Sequence, residues 1–166
     1  MSRLSIAIEQ IITARAYTER LLADLNPGDW FRMPHEGVTH IAWQVGHLAM
    51  AEYRLALDRL RGERPEDEQL ISSELLALFG KGSAPDPDPS NYPTPDDIRA
   101  VFARVHQQVL AELPGYTDDQ LQAPPLKPHA LFNRQIDSLY WCVRHEMLHA
   151  GQIGLVRRLL GYPPQW

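Results

Sequence analysis

The chain has 166 residues, 44% of them apolar, which fits a single domain over residues 1–166 with a sizeable core. Its 16 lysines and arginines are outnumbered by 21 aspartates and glutamates, giving a formal net charge of −5. That sign argues against nucleic acid and anionic membranes as partners, because binding to either requires clustered positive charge. The single cysteine, Cys142, excludes an intrachain disulfide. With no signal-peptide pattern and no run of 18 apolar residues, we expect a cytoplasmic protein that spans no membrane.

The first two predicted elements are long amphipathic helices. Apolar residues recur at spacings of three and four over residues 4–25, and an Asn-Pro-Gly sequence at 26–28 stops the pattern. The second helix covers about residues 39–61, with Thr39 as the expected N-cap and Gly62 as the C-terminal stop. No segment shows sustained strand-type alternation, so the sequence predicts an all-α protein.

The remaining elements complete a four-helix bundle. A short accessory helix is predicted over residues 66–79, before a proline-rich stretch near residues 84–95. Two further long helices cover about residues 95–113 and 136–160. The connection between the second and third long helices, residues 62–93, is long enough to cross the bundle. This length permits those two helices to run parallel.

The strongest local motif is the string His145-Glu146-Met147-Leu148-His149. Two histidines four residues apart lie about 40° apart around a helix, so both rings can reach one ion. Burying two imidazoles without partners is costly, and a shared metal would satisfy both; satisfied core histidines are the alternative. The string also matches the zinc-protease motif HExxH, which makes Glu146 a candidate general base. However, no His, Asp, Glu or Cys follows His149, and Glu146 is equally interpretable as a carboxylate at the polar edge of the bundle.

A third ligand must then come from upstream, and His47 is the best candidate. It lies in the most apolar part of the second helix, whereas His40 is near the start of that helix, where solvent or a cap can satisfy it. His35 and His129 fall in predicted loops, and His106 has the surroundings of a helix-surface residue.

Three neutral histidines suit a divalent zinc, nickel or iron ion. Three protein ligands with open positions are typical of a catalytic site, because structural zinc sites normally have four protein ligands. Helical projection places a mostly apolar small-molecule pocket around the three rings. Each neighbour has a plainer alternative as core filling or helix surface, while Arg54 could bind an anionic group and Gln152 could orient an imidazole. The predicted pocket residues are Trp43, Gln44, Met50, Arg54, Trp141, Cys142 and Gln152, beside Ala51, Ser138 and Val156.

The chain resembles the DinB/YfiT-like superfamily of metal-binding four-helix bundles. The matching strings are IAWQVGHLAMAEYR, with His47 at the first ligand position, and HEMLHAGQIGLVRRLLG, with His145 and His149 at the second and third. The resemblance implies up-down-down-up helix order, one divalent metal and frequent homodimers. It also implies activities such as transfer of low-molecular-weight thiols or metal-dependent hydrolysis. The proline-rich stretch at residues 84–95 departs from the family pattern and could shape the pocket mouth.

These observations favour a metal-dependent enzyme that transfers a low-molecular-weight thiol cosubstrate to a small electrophile. An apolar pocket without a second carboxylate favours thiol transfer over a hydrolase that activates metal-bound water. The alternatives are a non-catalytic module that binds a metal or small ligand, and a metal-free structural bundle.

Overall fold

The computed structural model describes residues 2–165, and the regular secondary structure in that range is helical. A π-helical segment, Arg54–Asp58, joins the helix Ile41–Tyr53 to the short helix Arg59–Arg61, so that the three form one continuous rod. Short 3₁₀ turns lie in the connections at Pro27–Asp29, Pro89–Asn91, Leu113–Gly115 and Gln120–Gln122. The helices are α1 (Arg3–Leu22), α2 (Ile41–Tyr53), α3 (Arg59–Arg61), α4 (Asp67–Leu70), α5 (Ser73–Leu78), α6 (Pro95–Glu112) and α7 (Gln135–Leu159). None of the helices within residues 2–165 is both long enough and apolar enough to cross a bilayer.

The N-terminal cap of α2 differs by one residue from the prediction. His40, rather than Thr39, is the cap, and its Nδ1 accepts a hydrogen bond from the Trp43 backbone N–H at 3.1 Å. The other ring nitrogen then donates to the Asp86 carbonyl oxygen, 3.0 Å away. The histidine therefore caps α2 and fastens the proline-rich connection to the start of that helix.

The accessory helix predicted over residues 66–79 is instead two short helices, α4 and α5. The break falls at Ile71, whose backbone is extended. Ser72 follows, and its hydroxyl accepts from the Leu75 backbone N–H at 3.2 Å. A serine side chain that satisfies a free N–H starts a new helix more readily than it continues an old one, which explains the division.

Helix directions follow from contacts along each pair. On α1 and α7, Arg15 bonds Glu146 and the carbonyl of Leu21 accepts from Arg157, so residue numbers rise together and these helices are parallel.

On α2 and α6, Glu52 meets His106, and further along Arg61 meets Glu112, so these helices are parallel as well. On α2 and α7, Gln44 bonds Gln152 while the Leu60 carbonyl, at the end of the same rod, accepts from Gln135. Those numbers run in opposite directions, so α2 and α7 are antiparallel. The predicted up-down-down-up bundle is confirmed.

A buried ionic cluster centred on Arg15 links the four long helices. Its guanidinium donates to Glu146 Oε1 at 2.8 Å, to Glu52 Oε2 at 2.6 Å and to the Phe102 carbonyl at 2.9 Å. His106 lies 2.8 Å from the other Glu52 oxygen. Although burial opposes charge, the carboxylates of Glu52 and Glu146 raise the pKa of Arg15, and Arg15 and His106 lower that of Glu52. Buried charges persist only when paired in this way.

Candidate metal centre

Three histidine side chains from two helices meet on one side of the bundle. His47 projects from α2, and His145 and His149 project from successive turns of α7. One ring nitrogen from each lies within 4.8 Å of those of the other two. The ring centroids are 5.2 Å apart for His47 and His145, 4.7 Å for His47 and His149, and 4.5 Å for His145 and His149. Such a set can coordinate one ion from three directions.

Hydrogen bonds orient two of the three rings. His47 Nδ1 lies 2.7 Å from the Phe79 carbonyl oxygen, and His149 Nδ1 lies 2.5 Å from Gln44 Oε1. Both partners are acceptors, so each Nδ1 carries the proton. The Nε2 lone pair of each ring is therefore free for coordination, the arrangement typical of metal-binding histidines.

The surroundings of the cluster favour neutral imidazoles. Burial lowers the pKa of His145 to about 4, with contributions from His47 and His129. Burial also lowers the pKa of His149 to about 3, with contributions from the other two rings of the cluster. The pKa of His47 falls for the same reason, with a further contribution from nearby Arg54. At neutral pH the rings are thus uncharged donors, and no proton has to leave before a metal binds.

Side chains on α2 hold the first ligand in place. Trp43 stacks on His47 with ring centroids 4.7 Å apart and planes 13° apart, and its indole N–H donates to Ser83 Oγ at 3.0 Å. A Cβ at Gly46 would lie 2.5 Å from the Phe79 ring. Gly46 therefore admits the Phe79 ring against α2 while the carbonyl of the same residue bonds His47.

Gln44 orients the last ligand from a fixed position of its own. Its side-chain amide N–H groups donate to Gln152 Oε1 at 2.9 Å and to Thr39 Oγ1 at 3.0 Å. This fixes the amide so that its oxygen faces His149. Gln44 thus orients His149 directly, and Gln152 acts through its hydrogen bond to Gln44.

A cavity of about 620 Å³ opens beside His47 and His145. Three of the predicted pocket residues line it, Met50, Arg54 and Trp141. Ala51, a predicted neighbour of His47, lines it as well. The rest of its lining was not predicted from the sequence: Leu55, Arg59, Lys81, Pro128, His129, Ala130 and Leu131. Its volume lies within the range of small-molecule sites.

The residues that were not predicted lie where the projection of an ordinary α-helix does not apply, and Leu55 is within the π-helical segment itself. Residues 128–131 belong to the irregular connection before α7, and Lys81 follows α5. Arg59 follows the π-helical segment, which changes the angular position of every residue after it. The signals in the sequence that point to these residues are Pro124, Pro125 and Pro128 and the charge of Arg59.

Two predicted site residues lie elsewhere. Glu146 is 3% exposed and bonds Arg15 through both carboxylate oxygens, at 2.8 and 3.3 Å. Cys142 is also buried, and burial together with the nearby charges of Glu52 and Glu146 raises the pKa of its thiol. Neither lines the cavity. Glu146 belongs to the Arg15 cluster, and the Cys142 thiol lies within the influence of its charges.

The other histidines have distinct surroundings. His106 was expected on a helix surface, but it is largely buried and pairs with Glu52. His129 stacks on Phe132 with ring centroids 4.2 Å apart, at the edge of the cavity.

Comparison with known proteins agrees with this geometry. A family model described as DinB superfamily matches residues 10–153, which include the three histidines, all of α2 and α6 and most of α1 and α7. No curated protein matches the chain.

Proposed function

Because the chain belongs to the DinB superfamily, we propose that it is a metal-dependent enzyme that transfers a low-molecular-weight thiol to a small electrophile. The observation that carries this proposal is a cluster of three neutral imidazoles, two of which, His47 and His145, line a cavity with an apolar wall. No residue lining that cavity within the described range 2–165 is acidic.

The donor set fits a divalent ion such as zinc, nickel or iron(II). Its nitrogens are uncharged, two of the rings are oriented through their second nitrogen, and the three ligand atoms lie within 4.8 Å of one another. A metal held there would act as a Lewis acid that favours the thiolate form of a bound thiol.

The chain's own residues would position both reactants. Trp141, Met50 and Leu131 offer apolar surface for the electrophile, close to His145. Their burial of the substrate would exclude water from the reacting carbon. With a chlorinated aromatic electrophile, the sulfur–carbon bond forms as the carbon–chlorine bond breaks. Chloride leaves with the bonding electron pair, and the thiol proton passes to solvent.

Hydrolysis is the second candidate, and its support is weaker. Activating water requires a proton acceptor within hydrogen-bond reach. The nearest candidate by sequence, Glu146, is held by Arg15. A module that binds a metal or small ligand without turnover would use the same cluster, and its mark would be a ligand that saturates the site unchanged.

We also propose a homodimer in the cytoplasm. Three leucines are more than 45% exposed along α7, Leu148, Leu155 and Leu159. Light scattering of the purified chain tests this assembly, and replacement of Leu148 and Leu155 by glutamate should give monomers. A monomeric wild-type protein would contradict the assembly without affecting the proposed chemistry.

The activity test uses metal-loaded protein purified without an affinity tag. The protein is mixed with a thiol and 1-chloro-2,4-dinitrobenzene, and conjugate formation is followed by absorbance. We expect conjugation above the uncatalysed rate with at least one common cellular thiol. Chelated protein, reloaded in turn with zinc, nickel and iron(II), identifies the active metal.

The absence of conjugate with every thiol and every metal would contradict the thiol-transfer proposal. Ester hydrolysis by the same preparations would favour the second candidate. His149→Ala protein is the matched inactive control, since it keeps the cavity lining but lacks one ligand.

A further inference from the structure

Three cationic side chains line the cavity beside the histidine cluster. Arg54 and Arg59 extend from the rod formed by α2 and α3, and exposed Lys81 lies at the rim beyond α5. The remaining lining is apolar or histidine. The chain as a whole carries a net charge of −5, so this concentration of positive charge is opposite in sign to the average surface.

The three cations have few partners within the fold, and Arg59 donates its one hydrogen bond to the Arg54 carbonyl. Within residues 2–165, Arg54, Arg59 and Lys81 form no ion pair, whereas Arg15, Arg61 and Arg157 are each paired with carboxylates. The buried Nε of Arg59 has no hydrogen-bond partner in the part of the chain that the structure describes. A desolvated guanidinium N–H without an acceptor is costly unless a ligand supplies one.

The π-helical segment brings the two arginines to the same cavity. Residues five apart in an α-helix lie about 140° apart around the axis. Here the Arg59 backbone N–H bonds the carbonyl of Arg54, and the Arg59 guanidinium donates to that same oxygen at 3.1 Å. The wider turn frees the Leu55 carbonyl, which accepts from Ser138 Oγ at 2.7 Å. π-Helical turns are often found at functional sites, and this one brings both charges to the cavity.

Burial lowers the pKa of His47 and of His129, and nearby cations contribute to both shifts, Arg54 at His47 and Arg59 and Lys81 at His129. Asp58, next to Arg59 in the sequence, partly offsets the charge of that arginine. A divalent ion on the histidine cluster would add charge of the same sign. The cavity therefore attracts anions in both the metal-free and the loaded state.

We propose that Arg54, Arg59 and Lys81 form a subsite for a carboxylate, and that the thiol taken by this protein carries one. This inference rests on the proposed function for the thiol and on the cations alone for the carboxylate. A guanidinium offers paired N–H donors that match a carboxylate, while the apolar lining receives the carbon skeleton. The sulfur of such a thiol would face the histidines from the same cavity.

Three thiols with the same two-methylene spacer and different charge test the subsite. 3-Mercaptopropionate is anionic, 2-mercaptoethanol is neutral and cysteamine is cationic. Dissociation constants are measured by calorimetry on zinc-loaded protein. Ligand-observed NMR on metal-free protein measures the contribution of the cations without the metal. We expect 3-mercaptopropionate to bind at least tenfold more tightly than 2-mercaptoethanol, and cysteamine to bind most weakly.

Substitutions assign the preference to residues. The double variant Arg54→Gln/Arg59→Gln should bind the three thiols with nearly equal affinity. Lys81→Gln should reduce the preference by about threefold, and because Lys81 is exposed and unpaired this change leaves the fold intact. Arg158→Gln removes one charge from an exposed position near the end of α7 and should leave the preference unchanged.

The outcomes separate this inference from the proposed function. Conjugate formation without preference for the anionic thiol in either metal state would overturn the subsite and leave the transferase standing. A preference that Lys81→Gln and the double variant both retain would also overturn it. Anion preference without any conjugate formation would support the subsite and contradict the transferase.

Discussion

The Arg15 cluster and the histidine cluster are both polar groups in the interior of the same bundle, yet they differ in how fully their atoms are bonded. Every guanidinium nitrogen of Arg15 donates to an oxygen, and both carboxylates are paired. In the histidine cluster only the Nδ1 atoms of His47 and His149 are bonded, and the nitrogens that face one another are free. In the Arg15 cluster, the polar atoms of the guanidinium and of both carboxylates are all engaged in hydrogen bonds, so they are not available to bind a ligand. The histidine cluster has ring nitrogens that are oriented and available to bind a metal ion.

The largest expected effect is the loss of metal binding when one histidine of the cluster is replaced. We expect His145→Ala to abolish stoichiometric metal binding, with an affinity loss above about 100-fold, because two imidazoles cannot replace three. Elemental analysis after dialysis against metal measures the loss. His129→Ala lies at the same cavity outside the cluster and should keep its metal. Unchanged metal content in His145→Ala would mean that the ligand set is wrong.

Arg15→Met should reduce stability and leave metal binding unchanged. It leaves the buried carboxylates of Glu52 and Glu146 without their cation, which we expect to lower the free energy of unfolding by about 3–5 kcal/mol. Metal stoichiometry in the folded protein should be unaffected. Urea unfolding followed by circular dichroism measures the change. Arg20→Met, exposed on the same helix, should shift stability by less than about 0.5 kcal/mol. Equal effects from the two substitutions would refute the structural role of the cluster.

A smaller effect should come from the residue that orients His149. Gln44→Leu removes the oxygen that bonds His149 Nδ1, and we expect metal affinity to fall about 10–100-fold. Gln152→Leu removes only the partner of Gln44 and should cost less. Competition with a chromophoric chelator gives both affinities. If Gln152→Leu proved the more damaging, the path of orientation through Gln44 would have to be abandoned.

The smallest effect concerns pH and lies outside both clusters. Burial lowers the pKa of His40 to about 4 in the folded chain, against 6.5 as its ordinary value, although Asp86 partly offsets the shift. The neutral ring is thus favoured by folding. Its contribution is complete above pH 6.5 and is lost as the pH falls from 6.5 towards 4.

His40→Asn keeps a capping side chain but removes this titration. We therefore expect the stability of the wild type, relative to the variant, to decline by about 1–2 kcal/mol between pH 7 and pH 4. Urea midpoints at four pH values in chelator measure this difference. Parallel pH profiles for the two proteins would show that His40 titrates normally in the folded state.

The sequence predicted the bundle because its information is periodic. Apolar spacing and stop signals located the four long helices, and the length of the connection at residues 62–93 permitted the parallel pair. The same periodicity placed His145 and His149 on one face of a helix, and the apolar surroundings of His47 marked it as the third ligand. The placement of the helices and of the His145/His149 pair depends on the angle per residue of an ordinary α-helix.

The positions of side chains could not be predicted where the angle per residue departs from that of an α-helix, or where the chain is not helical. The π-helical turn altered the direction of Arg59, and the connection around residues 128–131 has no period to project. The pairing of Glu146 with Arg15 was also beyond reach, because the two residues are 131 positions apart and belong to different helices. A carboxylate one position after a ligand histidine looks catalytic until its long-range partner is known.

One carbonyl group has a further consequence. The Phe79 oxygen that bonds His47 belongs to the connection between α3 and α6, so an ion that fixes the His47 ring also fixes the end of α5. Occupancy of the centre and local order in that connection are therefore thermodynamically linked. Backbone amides near Phe79 should exchange with deuterium more slowly when the ion is bound, which would make this segment an internal reporter of metal loading.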